Sequence, residues 1–243
     1  MEGQFEPWEG LTDLGVLRCL KLNWMHSVSL LETLASMARS GKLRSLRELQ
    51  LGANEYQQPT DHPNVDRPTS LLLIAAPPLE VLKLYHCFGE HIFEAALNCH
   101  SQTLRELEMH PTGEDPFILS HSRVREIQQR CPNLQKLDLT IHRHQGGPEE
   151  VAIYWALGQL ARLRRVTLIL VCGSILTGSY GRESLEKILI NATESLARAI
   201  FQEMSARSNA PLQRLRLEMD DLSWGSTADW VGIDRLVHWV GRS

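Results

Sequence analysis

The chain has no basic excess, no paired cysteines, no long apolar run and no catalytic fingerprint, and each absence removes a class of function. Net charge is −4 over 243 residues, whereas general affinity for nucleic acid or an anionic membrane needs a basic surplus or a clustered basic face. The five cysteines, Cys19, Cys87, Cys99, Cys131 and Cys172, are scattered and odd in number. A disulfide framework is therefore not expected, and a reducing compartment, cytoplasm or nucleus, is. The longest apolar runs, "LLLIAA" and "VTLILVC", fall far short of the roughly 20 residues of a membrane helix. The opening "MEGQFEPWEG" is acidic and carries no apolar stretch of the secretory type. G-x-S-x-G, the P-loop and the dinucleotide motif are missing, and Gly173, Gly178 and Gly181 occur without a lysine at the P-loop spacing. Neither an enzyme nor a cofactor-binding protein is expected.

What is present is a recurring spacing. With 43% hydrophobic and 22% charged residues the chain supports a packed core. L-x-x-L-x-L appears seven times: "LRCLKL" (17–22), "LRELQL" (46–51), "LEVLKL" (79–84), "LRELEM" (104–109), "LQKLDL" (134–139), "LRRVTL" (163–168) and "LQRLRL" (212–217). Only Met109 and Val166 replace leucine, and the steps between runs are 29, 33, 25, 30, 29 and 49 residues. A spacing of three then two suits neither a helix nor a plain strand. It suits a short strand, the x-L-x-L part, whose alternate side chains point inward, entered through a turn that carries the first leucine.

Helical stretches lie between these strands. In "SLLETLASMARSG", Ser29 and Glu32 are spaced as a capping box and Gly41 as a C-terminal stop. "EHIFEAALNCH" and "SRVREIQQRC" place apolar residues three and four apart. "PEEVAIYWALGQLARL" opens with Pro148 in the first turn, followed by two acids that suit the helix dipole. "TSLLLIAA" is stopped by Pro77, and a long helix is expected over "SLEKILINATESLARAIFQEMSARS". One strand–helix unit cannot bury its own apolar face, so units must stack.

These triplets resemble the leucine-rich repeat, L-x-x-L-x-L-x-x-N/C-x-L. Asn54 and Cys87 match its ninth position, while Met25, Thr112, His142, Val171 and Asp220 depart from it. The resemblance implies an α/β fold, a leucine-rich repeat solenoid (horseshoe) of ribonuclease-inhibitor-like type. Its parallel sheet would line the concave face and its helices the convex face, in about seven repeats. Three regions are expected: an N-terminal extension (1–14), repeats (15–220) and a C-terminal capping helix (221–243) built on "STADWVGIDRLVHWV", with Ser226 and Asp229 as cap and Trp230, Ile233, Val237 and Val240 on its packing side. The segment "NATESLARAIF" (191–201) is similar to a stretch near the end of the repeat region in filamentous-fungal F-box proteins. Nothing in the chain resembles the F-box itself, so a fragment or a repeat-only relative is expected. A ubiquitin-ligase scaffold is an expected partner only if an F-box is missing from this chain.

Alternation along the strands predicts which side chains line the concave face. These are Cys19, Lys21, Asn23, Glu48, Gln50, Gly52, Val81, Lys83, Tyr85, Glu106, Glu108, His110, Lys136, Asp138, Thr140, Arg165, Thr167, Ile169, Arg214, Arg216 and Glu218. Charges of both signs are mixed, with acids at Glu106 and Glu108 and bases at Arg165, Arg214 and Arg216, as an ordinary solvated strand face would also show. The partner-binding candidates are Lys83, Tyr85, Glu106, Glu108, His110, Lys136, Asp138, Arg165, Arg214 and Arg216. The longer irregular stretches, 52–70, 110–116, 142–148 and 172–181, all follow strands, which would gather them on one rim, a usual binding edge. His86, Cys87, Glu90, His91, Cys99 and His100 match no paired zinc spacing, and "HRHQ" (142–145) reads as a polar loop. No metal is expected. His110 beside Glu106 and Glu108 could be drawn as an acid–base group, but exposed strand neighbours meet this way by chance.

The expected function is a non-catalytic protein-binding scaffold, similar to the substrate-recognition part of an F-box adaptor. Its protein partner would dock on the concave face or loop rim. The alternatives are a stand-alone interaction or inhibitor module without a ligase link, or a truncated gene product.

Overall fold

The structure, a computed structural model, describes residues 14–22, 28–52, 65–85, 89–111, 117–144, 146–171, 195–206, 212–220 and 237–240. The chain divides into two compact units, one formed by residues 1–104 and 111–117, the other by 105–110 and 118–243. Each is an α/β unit in which strands alternate with helices.

In the first unit a 3-10 turn (Leu14–Val16) leads into β1 (Cys19–Leu22), α1 (Val28–Arg39), β2 (Glu48–Gly52), α2 (Asp66–Ala75), β3 (Val81–Tyr85) and α3 (Glu90–His100). The strands pair in parallel in chain order, and the register sets leucine against leucine: Leu20 on Leu49, Leu49 on Leu82, Leu51 on Leu84. Helices pack side by side in the same order, α1 on α2 and α2 on α3. Gly41, at φ +75°, ends α1. Lys42 N–H donates to the Met37 carbonyl at 2.9 Å and Gly41 N–H to Ala38 at 3.0 Å, the paired bonds that a left-handed residue makes possible at a helix end. The helix starts at Val28, so Ser29 lies inside the first turn and is not the cap. His100, on the last turn of α3, is buried, accepting from Leu79 N–H at Nδ1 (3.3 Å) with Nε2 3.0 Å from the Leu73 carbonyl. Burial pushes its pKa down to about 4 despite that carbonyl.

In the second unit the elements are β4 (Glu106–His110), α4 (His121–Arg130), β5 (Lys136–His142), α5 (Pro148–Gly158), β6 (Arg165–Val171), α6 (195–206), β7 (Arg214–Asp220) and β8 (Val237–Val240). β4 to β7 pair in parallel in chain order. β8 pairs with β7 antiparallel, so Val237–Val240 is a strand where the apolar spacing of the tail suggests a helix. An edge strand carries a row of unpaired backbone groups, and β8 occupies that row on β7. The rest of the expected C-terminal helix, and the N-terminal extension up to residue 13, lie outside the described residues, as do Asn23, Asn54, Cys87 and Cys172.

The seven triplets supply the core of both units. All of their apolar positions are buried except Leu17 and Leu22. A second device recurs with them. The carbonyl just before a strand accepts two N–H groups from the start of the next: Arg18 from Arg47 and Glu48, Arg47 from Glu80 and Val81, Arg105 from Gln135 and Lys136, Gln135 from Arg164 and Arg165, Arg164 from Gln213 and Arg214.

Helix α5 shows how one side chain fixes a turn. Glu150 is fully buried and takes hydrogen bonds from His144 N–H (2.7 Å), Gly146 N–H (2.9 Å), the Tyr154 hydroxyl and Arg143. Burial alone would raise its pKa, but these donors and the Arg143 charge outweigh it and hold the carboxylate below its usual range. The acid that suits the helix dipole thus anchors the loop before it. At the other end of α5, a Cβ on Gly158 would lie 2.5 Å from the Met204 carbonyl of α6, so the two helix backbones touch where no side chain fits. Among the described residues, no helix is long and apolar enough to cross a membrane.

Candidate functional site

The strand positions expected to face outward do not share one environment. In the first unit Lys21 is 52% exposed in its side chain and pairs with Glu48 at 3.2 Å. Lys83 and Tyr85 on β3 are half-buried. Burial and the neighbouring Glu48 push the Cys19 thiol up.

In the second unit the same alternation produces a buried polar cluster. Glu108 is 4%, Asp138 7%, Thr140 2% and Thr167 8% exposed, which corrects the expectation that all four line an open surface. The cause is the register, together with burial on both strand faces. Glu108 sits beside Asp138, Asp138 beside Thr167 and Thr167 beside Arg216, one residue per strand, at the roughly 4.8 Å spacing of neighbouring strands. Two carboxylates are thereby forced together. The Lys136 ammonium, from the preceding row, answers them by pairing with Glu108 Oε1 and lying 3.5 Å from Asp138 Oδ2. Burial alone would lower the lysine pKa, but the Glu108 hydrogen bond and the charges of Asp138, Glu108 and Glu106 raise it.

His110 completes the group. One donor atom each from Glu108, His110 and Asp138 lie within 4.8 Å of one another. Burial pushes the imidazole pKa down; Asp138 and Glu108 oppose this, while Lys136 and Arg216 reinforce it. The net shift is downward, which favours the neutral imidazole. Asp138 is shifted up, by burial first and by Glu108, against Lys136, a Thr167 hydrogen bond and His110. Among the described residues, three buried atoms on this face have no hydrogen-bond partner: Asp138 Oδ1, Thr140 Oγ1 and Arg216 Nε.

Of the sequence-derived candidates, the structure thus brings together Glu108, His110, Lys136 and Asp138. Glu106 acts on them through its charge on Lys136. Arg216 is half-buried, acts on His110 through its charge and pairs with Glu218 at 2.6 Å. Arg165 and Arg214 are exposed and stand side by side at the starts of β6 and β7. Lys83 and Tyr85 belong to the other unit. Thr140 and Thr167 carry the right alternation in the sequence, but nothing local signals their burial. Of the metal-ligating types clustered near α3, His100 has both ring nitrogens engaged by backbone, Cys99 is exposed, and His86 and Cys87 lie outside the described residues.

No family model matches the chain, and no curated protein sequence matches it.

Proposed function

We propose that the chain is a leucine-rich repeat solenoid of the horseshoe class and works as a non-catalytic protein-binding scaffold, similar to the substrate-recognition part of an F-box ubiquitin-ligase adaptor. Strand order supports the fold reading. In each unit parallel neighbours follow one another in chain order without reversal. Right-handed crossovers taken always in one direction keep the helices on one face, whereas a doubly wound sheet reverses its order midway. The recurring carbonyl that accepts two N–H groups at five of the strand starts is what a repeat predicts.

The observation that carries the functional reading is the charged row at those strand starts: Glu106, Lys136, Arg165 and Arg214 in register. Its basic end, Arg165 beside Arg214, is exposed. Two adjacent cations held in register on rigid strands favour an acidic protein segment, mainly through orientation and association rate. The double change Arg165→Glu and Arg214→Glu is expected to lower capture of the native partner by about tenfold or more with melting unchanged. Equal recovery of the same partner by both proteins would exclude this row as the contact. Ligase scaffold proteins among the captured set would favour the adaptor; a stable partner without them would favour a stand-alone interaction or inhibitor module.

A further inference from the structure

The buried cluster on β4 and β5 gathers metal-ligating groups around a carboxylate oxygen, Asp138 Oδ1, that has no hydrogen-bond partner among the described residues. Glu108, His110 and Asp138 offer two carboxylates and an imidazole with donor atoms within 4.8 Å of one another. Three donors on one divalent ion at about 2.1 Å lie roughly 3–3.5 Å apart, so the set must close by about 1–2 Å to hold one. Asp138 is 93% buried, being 7% exposed, and its Oδ1 has no partner among the described residues, although an unmade bond to a buried carboxylate oxygen is costly. Lys136 reaches only the other oxygen, Oδ2, at 3.5 Å. Metal binding takes the imidazole in its neutral form.

From this geometry we propose a binding site for one divalent transition-metal ion, held by Glu108, His110 and Asp138, in which the metal displaces the Lys136 ammonium as the cation between the two carboxylates. The nitrogen donor and the two hard oxygens fit the zinc and cobalt class rather than calcium or magnesium, which take oxygen ligands. The ion would tie β4 to β5 across the face of the second unit. This site shares Lys136 with the charged row but lies apart from its exposed basic end, Arg165 and Arg214, and it does not depend on the partner reading.

The test uses the full chain, stripped with a chelator and titrated with Zn2+, Co2+ and Mg2+. Zn2+ at about a hundredfold excess over its Kd is expected to raise Tm by roughly 5 °C or more. Co2+ should develop visible d–d absorption, and Mg2+ should do neither. Asp138→Asn and His110→Gln should each weaken Zn2+ binding by more than the 10–100-fold typical of outer-shell changes. Running both keeps the test valid if one of them fails to fold. Lys136→Met removes the competing cation, so it should bind Zn2+ more tightly than the parent. The proposal is overturned if neither ion changes Tm or spectrum, or if both ligand variants bind as the parent does, which would assign the metal to surface groups such as His142 and His144. It is equally overturned if Lys136→Met weakens binding.

Discussion

The strand faces of the two units are built from one spacing rule and behave differently. In the first unit the charged pair across neighbouring strands, Lys21 and Glu48, keeps 52% and 29% of its side-chain exposure; in the second a Lys–Glu pair with the signs exchanged between strands, Glu108 and Lys136, keeps 5% and 23%. An ion pair in water contributes little, because solvation competes with it. A buried one is costly to form and far more costly to break, because either partner alone is left without water. The same pair of residue types is therefore a surface detail in one unit and a structural commitment in the other.

The largest effect should be one in which the two units do not differ. Leu137 is fully buried between Leu107 and Val166, and Leu49 between Leu20 and Leu82. Leu137→Asp and Leu49→Asp should each cost more than about 4 kcal/mol and abolish cooperative unfolding of the unit concerned. Circular dichroism during urea titration would show it, and an unchanged midpoint in either variant would contradict the shared core. Next comes the contrast itself. Lys136→Met should destabilise the metal-free protein by about 3 kcal/mol, while Lys21→Met should stay within about 1 kcal/mol. Equal urea midpoints for the two variants would erase the distinction.

A pH series separates the units in another way. His100 of the first unit has a folded pKa of about 4, below the unfolded value near 6.5. Between those values the unfolded chain binds the extra proton. Stability from this group is therefore complete above pH 6.5, falls as pH drops towards 4, and is then flat, a total of about 3 kcal/mol. In His100→Gln that component of the slope should vanish; an identical slope would place the acid sensitivity elsewhere. The smallest effects concern two glycines. Gly158→Ala meets the Met204 carbonyl at 2.5 Å and should cost about 1–3 kcal/mol. Gly41→Ala has open space around the new methyl but sits at φ +75°, and should cost about 1 kcal/mol. A calorimetric ranking with Gly41→Ala the more damaging would mean that α5 and α6 can part freely.

Most of the scaffold is legible along the chain because a strand whose alternate residues are leucine leaves little choice of orientation. All seven triplets coincide with strands β1 to β7, and "EHIFEAALNCH" with α3. The start of α1 is misplaced by Ser29 and Glu32, because cap signals compete over one or two residues. The strand at Val237–Val240 is hidden by apolar spacing that suits a helix equally well; the unpaired edge of β7 settles it. The cluster was only half visible. Alternation puts Glu108, His110 and Asp138 on one face, but whether that face meets solvent depends on residues distant in sequence. Glu150 shows the same limit: an acid in a first turn reads as a dipole partner, and three of its four donors come from folding the preceding loop back on it, the fourth being Tyr154 one turn on in α5.

The carbonyl that receives two N–H groups at the starts of β2, β3, β5, β6 and β7 has a further consequence. From β5 to β6 the triplets are 29 residues apart and from β6 to β7 they are 49 apart, yet the strand pairing is the same in both. Alignment is thus reset locally at these strand starts, and a segment inserted or deleted before one of them leaves no phase error for the strand that follows. The excursions can lengthen, shorten or be exchanged while the ordered rows of side chains keep their columns.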